Sequence, residues 1–176
     1  MEGFIVSYNK KIAIVYKSKY GCTMKYAGWL AIKLDADLYE VSDVGRWDLL
    51  KYKTIIFGSP IYNSKIYLLD YILEKYKTIK NKNLILYCVN LNLQNKKDII
   101  DYNFENEEVK NKIKFFFLDG SINYDNLTRI DKIKLKKSLK KNRAFNVVKL
   151  EKNINVDRSD KHTIKPIINY VLEKTY

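Results

Sequence analysis

The sequence predicts an α/β fold, a three-layer sandwich in which a five-stranded parallel sheet is covered by helices on both faces. Two observations lead to this prediction. Short apolar runs rich in β-branched residues alternate with stretches of helical periodicity along most of the 176 residues, and the connections between them are short. Strands that alternate with helices in this way are joined by right-handed crossovers, which place the helices on both faces of one sheet.

Each predicted strand is a short run dominated by β-branched or aromatic residues, as expected for strands buried on both faces. The third strand, for example, contains Ile55, Ile56 and Phe57, and we expect it to end at Gly58-Ser59-Pro60. The five predicted strands are Lys11–Lys17, Asp37–Ser42, Lys53–Ser59, Leu84–Leu91 and Ile113–Leu118.

The predicted helices are defined by apolar residues that recur three and four positions apart. The last helix has the clearest pattern, with Pro166 near its first turn, where a missing N–H group costs least. Its apolar residues are Ile164, Ile167, Ile168, Val171 and Leu172. The other helices are predicted over residues 24–34, about 65–80 and 96–112, and a loop is expected after Asp119.

Composition restricts the class of protein. The two cysteines, Cys22 and Cys88, lie far apart and predict neither a disulfide framework nor a zinc site. No apolar run approaches the roughly 18 residues of a spanning helix, and residues 1–10 do not have the pattern of a secretory signal. We therefore expect one domain over residues 1–176 in a reducing cytoplasm.

The net charge of +13 is concentrated late in the chain. Arg129–Lys152 contains ten basic and two acidic residues, a net charge of +8, within a basic insertion or extension predicted at about residues 120–155. As a helix, this segment places Ile130 and Ile133 on one side and Leu135 near the opposite side, which argues against deep insertion into a membrane. Peripheral contact with an anionic membrane, a clamp for acidic groups such as porphyrin propionates, docking to an acidic protein and an ordinary solvated surface remain as interpretations.

Ligands of doubly wound sheets bind beyond the carboxyl ends of the strands, where the strand order reverses. This rule selects three loops, Ser18–Thr23, Ser59–Ser64 and Asn90–Gln94. In the first loop, hydroxyl groups and the free amides of a helix N-terminus are suited to a phosphate, and Gly21 permits the tight turn. The alternative is an ordinary helix cap.

Other phosphate-binding families do not match. The sequence contains neither G-x-x-x-x-G-K-[S/T] nor G-x-G-x-x-G, the motifs of nucleoside triphosphate and dinucleotide sites. A phosphate-accepting receiver domain needs acidic residues where this chain has Lys17-Ser18 and Gly58-Ser59.

The chain resembles the flavodoxin family. Ile12–Leu34, with an S-x-x-G-x-T loop after the first strand, resembles the flavodoxin loop that binds the phosphate of FMN. Ile55–Tyr62 is similar to the second flavin loop of a branch that includes menaquinone-dependent protoporphyrinogen dehydrogenases. Asp119–Tyr124 and Val156–Asp160 also resemble that branch. The resemblance implies a flavodoxin-like three-layer sandwich.

The resemblance also implies the residues of an FMN site. Those expected around the phosphate are Ser18, Tyr20, Gly21, Cys22 and Thr23. Those expected beside the isoalloxazine ring are Ser59, Pro60, Ile61, Tyr62 and Asn63 on one side and Asn90, Leu91 and Asn92 on the other. Tyr62 is the candidate for stacking on the flavin, although a tyrosine of the core or surface is the usual alternative in a chain with 15 tyrosines.

Two classes of function follow. The first is a cytoplasmic FMN redox protein with no catalytic acid, base or metal ligand of its own. It is either an electron carrier or a quinone-linked oxidoreductase similar to protoporphyrinogen dehydrogenase. The second is a basic binding module on a flavodoxin scaffold that has lost the flavin. Nucleic acid is not an expected partner.

Overall fold

A computed structural model describes residues 10–45, 47–91, 95–141 and 155–175. Its main sheet contains the five parallel strands β1 (Ile12–Tyr16), β2 (Asp37–Glu40), β3 (Thr54–Tyr62), β5 (Asn83–Asn90) and β6 (Ile113–Asp119). They lie in the order β2-β1-β3-β5-β6, which confirms the predicted fold class. The strand order reverses between β1 and β3, so the loops that follow these two strands flank the crevice where ligands bind in such sheets.

Alternate residues of the central strands enter two different cores. On one face of the sheet, Val15 and Phe57 pack with buried residues of three helices: α2 (Leu69–Ile79), α3 (Lys96–Asn103) and α4 (Glu107–Lys112). On the other face, the helices are α1 (Cys22–Leu34) and α6 (Lys165–Thr175). The strands between the two cores are therefore almost wholly buried, which explains their apolar composition.

The third strand is longer than predicted. β3 does not end at Ser59 but continues through Pro60 to Tyr62. Proline is tolerated there because β1 pairs with β3 only as far as Gly58, so one edge of β3 is free of β1 beyond that residue.

A hairpin precedes α2, so the predicted start of this helix near Lys65 is wrong. Asn63 and Ser64 have φ angles of 50° and 63°, the left-handed conformation needed for a tight two-residue turn. The turn reverses the chain into the short antiparallel strand β4 (Lys65–Ile66), and α2 begins only at Leu69.

The single helix predicted over residues 96–112 is two helices. α3 ends at Asn103, and the side chain of Asn106 caps α4 by accepting a hydrogen bond from the Val109 amide. Phe104, between the two helices, is buried with 3% of its surface exposed. Because Phe104 is buried between the helices and Asn106 caps a new one, the chain does not continue as a single helix.

The chain after β6 contributes a second, two-stranded sheet and a further helix. β7 (Ser121–Asn123) pairs antiparallel with β8 (Asn155–Asp157), so part of the predicted loop is a strand. α5 (Arg129–Lys141) lies between them in sequence. A 3-10 turn over Lys161–Ile164 leads into α6. None of the helices in the described ranges is both long and apolar enough to cross a membrane.

Candidate functional site

A cavity of about 960 Å³ opens at the carboxyl ends of β1, β3 and β5, where the strand order reverses. Its walls come from the three loops that the sequence selected, together with residues of α3, residues that follow β6 and the first half of α5. Ten of the thirteen predicted site residues line it: Ser18, Tyr20, Cys22, Thr23, Pro60, Ile61, Tyr62, Asn63, Asn90 and Leu91.

The other three predicted residues are placed differently. Gly21 shapes the first loop without lining the cavity. Ser59 is fully buried, and its hydroxyl accepts a hydrogen bond from the Leu68 amide and donates one to the Pro60 carbonyl oxygen. Ser59 therefore fixes the course of β3 and the hairpin from behind the cavity wall. Asn92 lies outside the described residues.

The first loop, Ser18–Thr23, turns sharply into α1. Gly21 has a φ of 86°, a conformation that favours glycine, and its amide donates to Ser18 Oγ at 3.1 Å. Gly21 is also the N-cap residue of α1, so the N-cap position provides no side chain to occupy the amides of the first turn. These amides and the positive end of the helix dipole favour an anion at this point.

A buried tyrosine supports this loop from below. Tyr87 of β5 is fully buried, and its hydroxyl donates to the carbonyl oxygen of Thr23 at 3.0 Å. The Tyr87 ring passes directly over Gly58, where a Cβ atom would lie only 2.1 Å from the Tyr87 hydroxyl oxygen. Glycine at position 58 thus leaves room for the side chain that holds the start of α1.

The second loop contributes aromatic surface. Tyr62 and Tyr67 both line the cavity, and their rings meet edge to face with centroids 5.7 Å apart. Burial, together with the negative charge of Asp131, raises the pKa of the Tyr62 hydroxyl, which therefore stays protonated at neutral pH. Lys17 Nζ lies 4.5 Å from the Tyr67 ring centroid. This wall can contact a flat apolar group and is bordered by positive charge.

The wall after β5 is held to the chain that follows β6. The Gly120 amide donates to the Asn90 carbonyl oxygen at 2.9 Å. Gly120, Ser121 and Ile122 then line the cavity. The hydroxyl of Tyr26, a fully buried residue of α1, donates to the Asp119 carbonyl oxygen at 2.8 Å, so the same segment is also tied to α1.

Helix α5 forms one wall of the cavity through Asp131, Lys134 and Leu135. The carboxylate of Asp131 accepts hydrogen bonds from Lys19 Nζ at 2.5 Å and from the Tyr20 hydroxyl, both in the first loop. The Thr128 hydroxyl also donates to it. The Lys19 and Tyr20 contacts lower the pKa of Asp131 to about 2.

The sequence did not predict Lys19, Tyr67, Asp131 or the walls formed by α3 and α5 as parts of this site. One signal was present. Asp131 is the only acidic residue of α5, three positions after Thr128, and this spacing allows the pair to cap the start of the helix reciprocally. Nothing in the sequence linked Asp131 to Lys19, because the two residues are 112 positions apart.

The fold and the cavity define a doubly wound α/β protein in which the free amides of a helix N-terminus lie beside an aromatic pocket. The model of the flavodoxin domain family matches residues 13–146, which include the first loop, the second loop and α5. The chain belongs to the flavodoxin domain family. A comparison with curated protein sequences finds no match.

Solved structures with low sequence identity are similar to the chain. Oxidised flavodoxin 2 from Bacillus cereus has 16% identity and a TM-score of 0.47, covering 73% of this chain and 94% of its own. A flavodoxin from Streptococcus pneumoniae has 20% identity and a TM-score of 0.41, covering 72% and 92%. The Trp repressor binding protein from Bacillus subtilis has 15% identity and a TM-score of 0.40, covering 62% and 84%. The family assignment rests on the family model and not on these likenesses.

Proposed function

We propose that this protein binds FMN in the cavity and transfers electrons through it. The observation that carries the proposal is the pairing of two surfaces in one cavity. The N-terminus of α1 favours an anion, and the wall formed by Tyr62 and Ile61 favours a flat apolar group. FMN is a phosphate joined to such a group.

The residues present fit this cofactor. The volume of about 960 Å³ lies within the roughly 300–1,000 Å³ of small-molecule sites. Hydroxyl and amide donors lie at the phosphate end, and Tyr62, Ile61 and Leu91 provide apolar surface at the other. When bound, FMN supplies the redox chemistry, taking electrons from a reduced donor and passing them to an oxidised acceptor. The chain binds the phosphate, orients the ring and limits the access of water.

The finer proposal is an oxidoreductase similar to protoporphyrinogen dehydrogenase, with a quinone as electron acceptor. Two features support it. Gly120, Ser121 and Ile122 belong to a segment that resembles that branch, and they line the cavity. Lys134, which is exposed, also lines the cavity, and its ammonium group suits the carboxylates of a porphyrin. A simple electron carrier is the other form of the same proposal.

A second candidate function is a basic binding module that has lost the flavin. The contact of Asp131 with Lys19 favours it, because the carboxylate engages a cation that would otherwise face the phosphate. The absorbance spectrum of the purified protein distinguishes the candidates. A flavin spectrum, or one that develops when FMN is added to the apoprotein, supports the redox protein. If no FMN binds even when it is added in large excess, the result supports the binding module.

Thr23→Val tests the position of the phosphate. Thr23 lines the cavity at the start of α1 and is 2% exposed, and valine removes its hydroxyl while nearly preserving its shape. Loss of a hydrogen bond to a charged phosphate costs about 1.5–3 kcal/mol, so we expect FMN affinity to fall about tenfold or more. Thr78→Val, at an exposed position of α2, is the matched control and should bind FMN like wild type. Equal FMN affinity in all three proteins, with the fold intact, would remove Thr23 from the phosphate site.

A further inference from the structure

Helix α5 is more positively charged than the lysine-rich composition of the chain alone would make it. α5 carries seven basic residues and one acidic residue in 13 positions. In contrast, α2, α3 and α4 each balance their basic residues with an equal number of acidic ones. Compositional bias alone would charge all of these helices alike. The positive charge is therefore a local property of α5.

The one acidic residue of α5 does not offset this charge at the surface. The Asp131 carboxylate is directed toward the first loop, where it accepts hydrogen bonds from Lys19 and Tyr20, and its side chain is 19% exposed. The Lys19 ammonium group neutralises the Asp131 carboxylate, and α5 has no other acidic residue. The basic residues on the other side of the helix therefore have no acidic neighbour on α5 itself. Arg129, Lys136 and Lys137 are exposed among them.

Two large apolar side chains lie among these cations. Ile130 and Ile133 are 65% and 56% exposed, and their spacing of three residues puts them on one face of the helix. Leu135, on the other side, lines the cavity. The helix therefore has an inward side that contacts the site and an outward side where two isoleucines are surrounded by basic residues.

We propose that this outward side of α5 is a peripheral docking surface for an anionic lipid bilayer. Phosphate groups of any kind would attract the lysines, but a nucleic acid or a free phosphate does not take up apolar side chains, whereas a lipid surface takes up cationic and apolar side chains together. Ile130 and Ile133 would enter the boundary between headgroups and acyl chains, while the basic residues contact anionic headgroups. The cytoplasmic leaflet, which is rich in anionic lipid, has this chemistry.

Sedimentation with lipid vesicles tests the proposal without any requirement for bound flavin. The wild-type chain is mixed with vesicles of phosphatidylcholine alone and with vesicles containing 30% phosphatidylserine. We expect binding to the anionic vesicles only, and release at high salt because exposed charges are screened. The triple variant Arg129→Gln/Lys136→Gln/Lys137→Gln should lose affinity by on the order of 100-fold, since each cation near an anionic surface contributes about fivefold.

Variants of the isoleucines test the lipid specificity. Ile130→Ser/Ile133→Ser should reduce vesicle binding by roughly tenfold, because it removes apolar area from the contact. The matched control is Ile32→Ser, which changes an isoleucine of α1 that is 80% exposed and should bind vesicles like wild type. Circular dichroism checks the folding of each variant. We expect an intact fold, because all of these positions are exposed.

The contradicting results are equally specific. Equal binding of wild type to neutral and anionic vesicles, or equal binding of wild type and the triple variant, would overturn the proposal. Full binding by Ile130→Ser/Ile133→Ser would also overturn it, because the surface would then be a contact for polyanions in general, and a single-stranded RNA should compete with the vesicles. FMN titration of the same proteins is independent of every one of these outcomes.

Discussion

Two walls of the same cavity are built in different ways. The first loop rests on buried contacts, in which the Tyr87 hydroxyl donates to the Thr23 carbonyl oxygen and the Tyr87 ring lies against Gly58. α5 reaches that loop through Lys19, Tyr20 and the Asp131 carboxylate, and the Lys19 side chain is 38% exposed.

The buried contacts fix the first loop, whereas the exposed contacts leave the α5 wall adjustable. A buried hydrogen bond is costly to lose, because the remaining polar group has no water to replace its partner. Exposed ion pairs contribute only about 0–1 kcal/mol and weaken as salt rises. We therefore expect the first loop to keep its shape under conditions that loosen the contact with α5.

The largest expected effect comes from Gly58→Ala. The added Cβ atom would lie 2.1 Å from the Tyr87 hydroxyl oxygen, so the ring must move and release the Thr23 carbonyl oxygen. Overpacking of this kind costs typically about 1–3 kcal/mol and sometimes more. Urea denaturation should show this loss of unfolding free energy, and FMN affinity should fall with it. Wild-type stability in this variant would show that Tyr87 does not lie against residue 58.

A smaller loss is expected from Tyr87→Phe, which keeps the ring and removes the hydroxyl. The Thr23 carbonyl oxygen would keep the hydrogen bond that it accepts within α1 and lose only the one from Tyr87, a net cost of about 0.5–1.5 kcal/mol. Tyr76→Phe is the comparison, since the Tyr76 hydroxyl donates to the Glu108 carboxylate, which water can also reach. Its cost should stay below about 0.5 kcal/mol. If the two variants lose equal stability in urea, the first loop is no better supported than the surface.

The smallest effect concerns the pH dependence of the α5 contact. Because the pKa of Asp131 is lowered to about 2, its contribution to stability is present above the ordinary value of 3.8 and is lost as pH falls through about 2. An NMR titration of the side-chain carboxyl carbon should therefore give a midpoint near 2. Lys19→Gln should raise that midpoint toward 3.8, while Lys17→Gln should leave it unchanged. A wild-type midpoint near 3.8 would mean that α5 is not held by this carboxylate.

Sequence periodicity was sufficient to predict the sheet and the location of the cavity. The buried strands are apolar enough to be recognised, and the rule for doubly wound sheets then selects the loops after β1, β3 and β5. The hairpin at Asn63-Ser64 could not be distinguished from a helix start, because it depends on backbone conformation at two residues. The contact between Asp131 and Lys19 could not be predicted, since it joins a helix and a loop that only the folded chain brings together.

Comparative titration of the apoprotein with FMN and with riboflavin tests the central claim most directly. The two ligands share the ring and differ in the phosphate, so their difference in affinity isolates the anion-binding loop at the start of α1. The fluorescence of FMN should be quenched as it binds, and the binding should saturate. Riboflavin should bind at least about tenfold more weakly, because it lacks the charged acceptor for the loop donors. The absence of FMN binding, or equal affinity for the two ligands, would contradict the account.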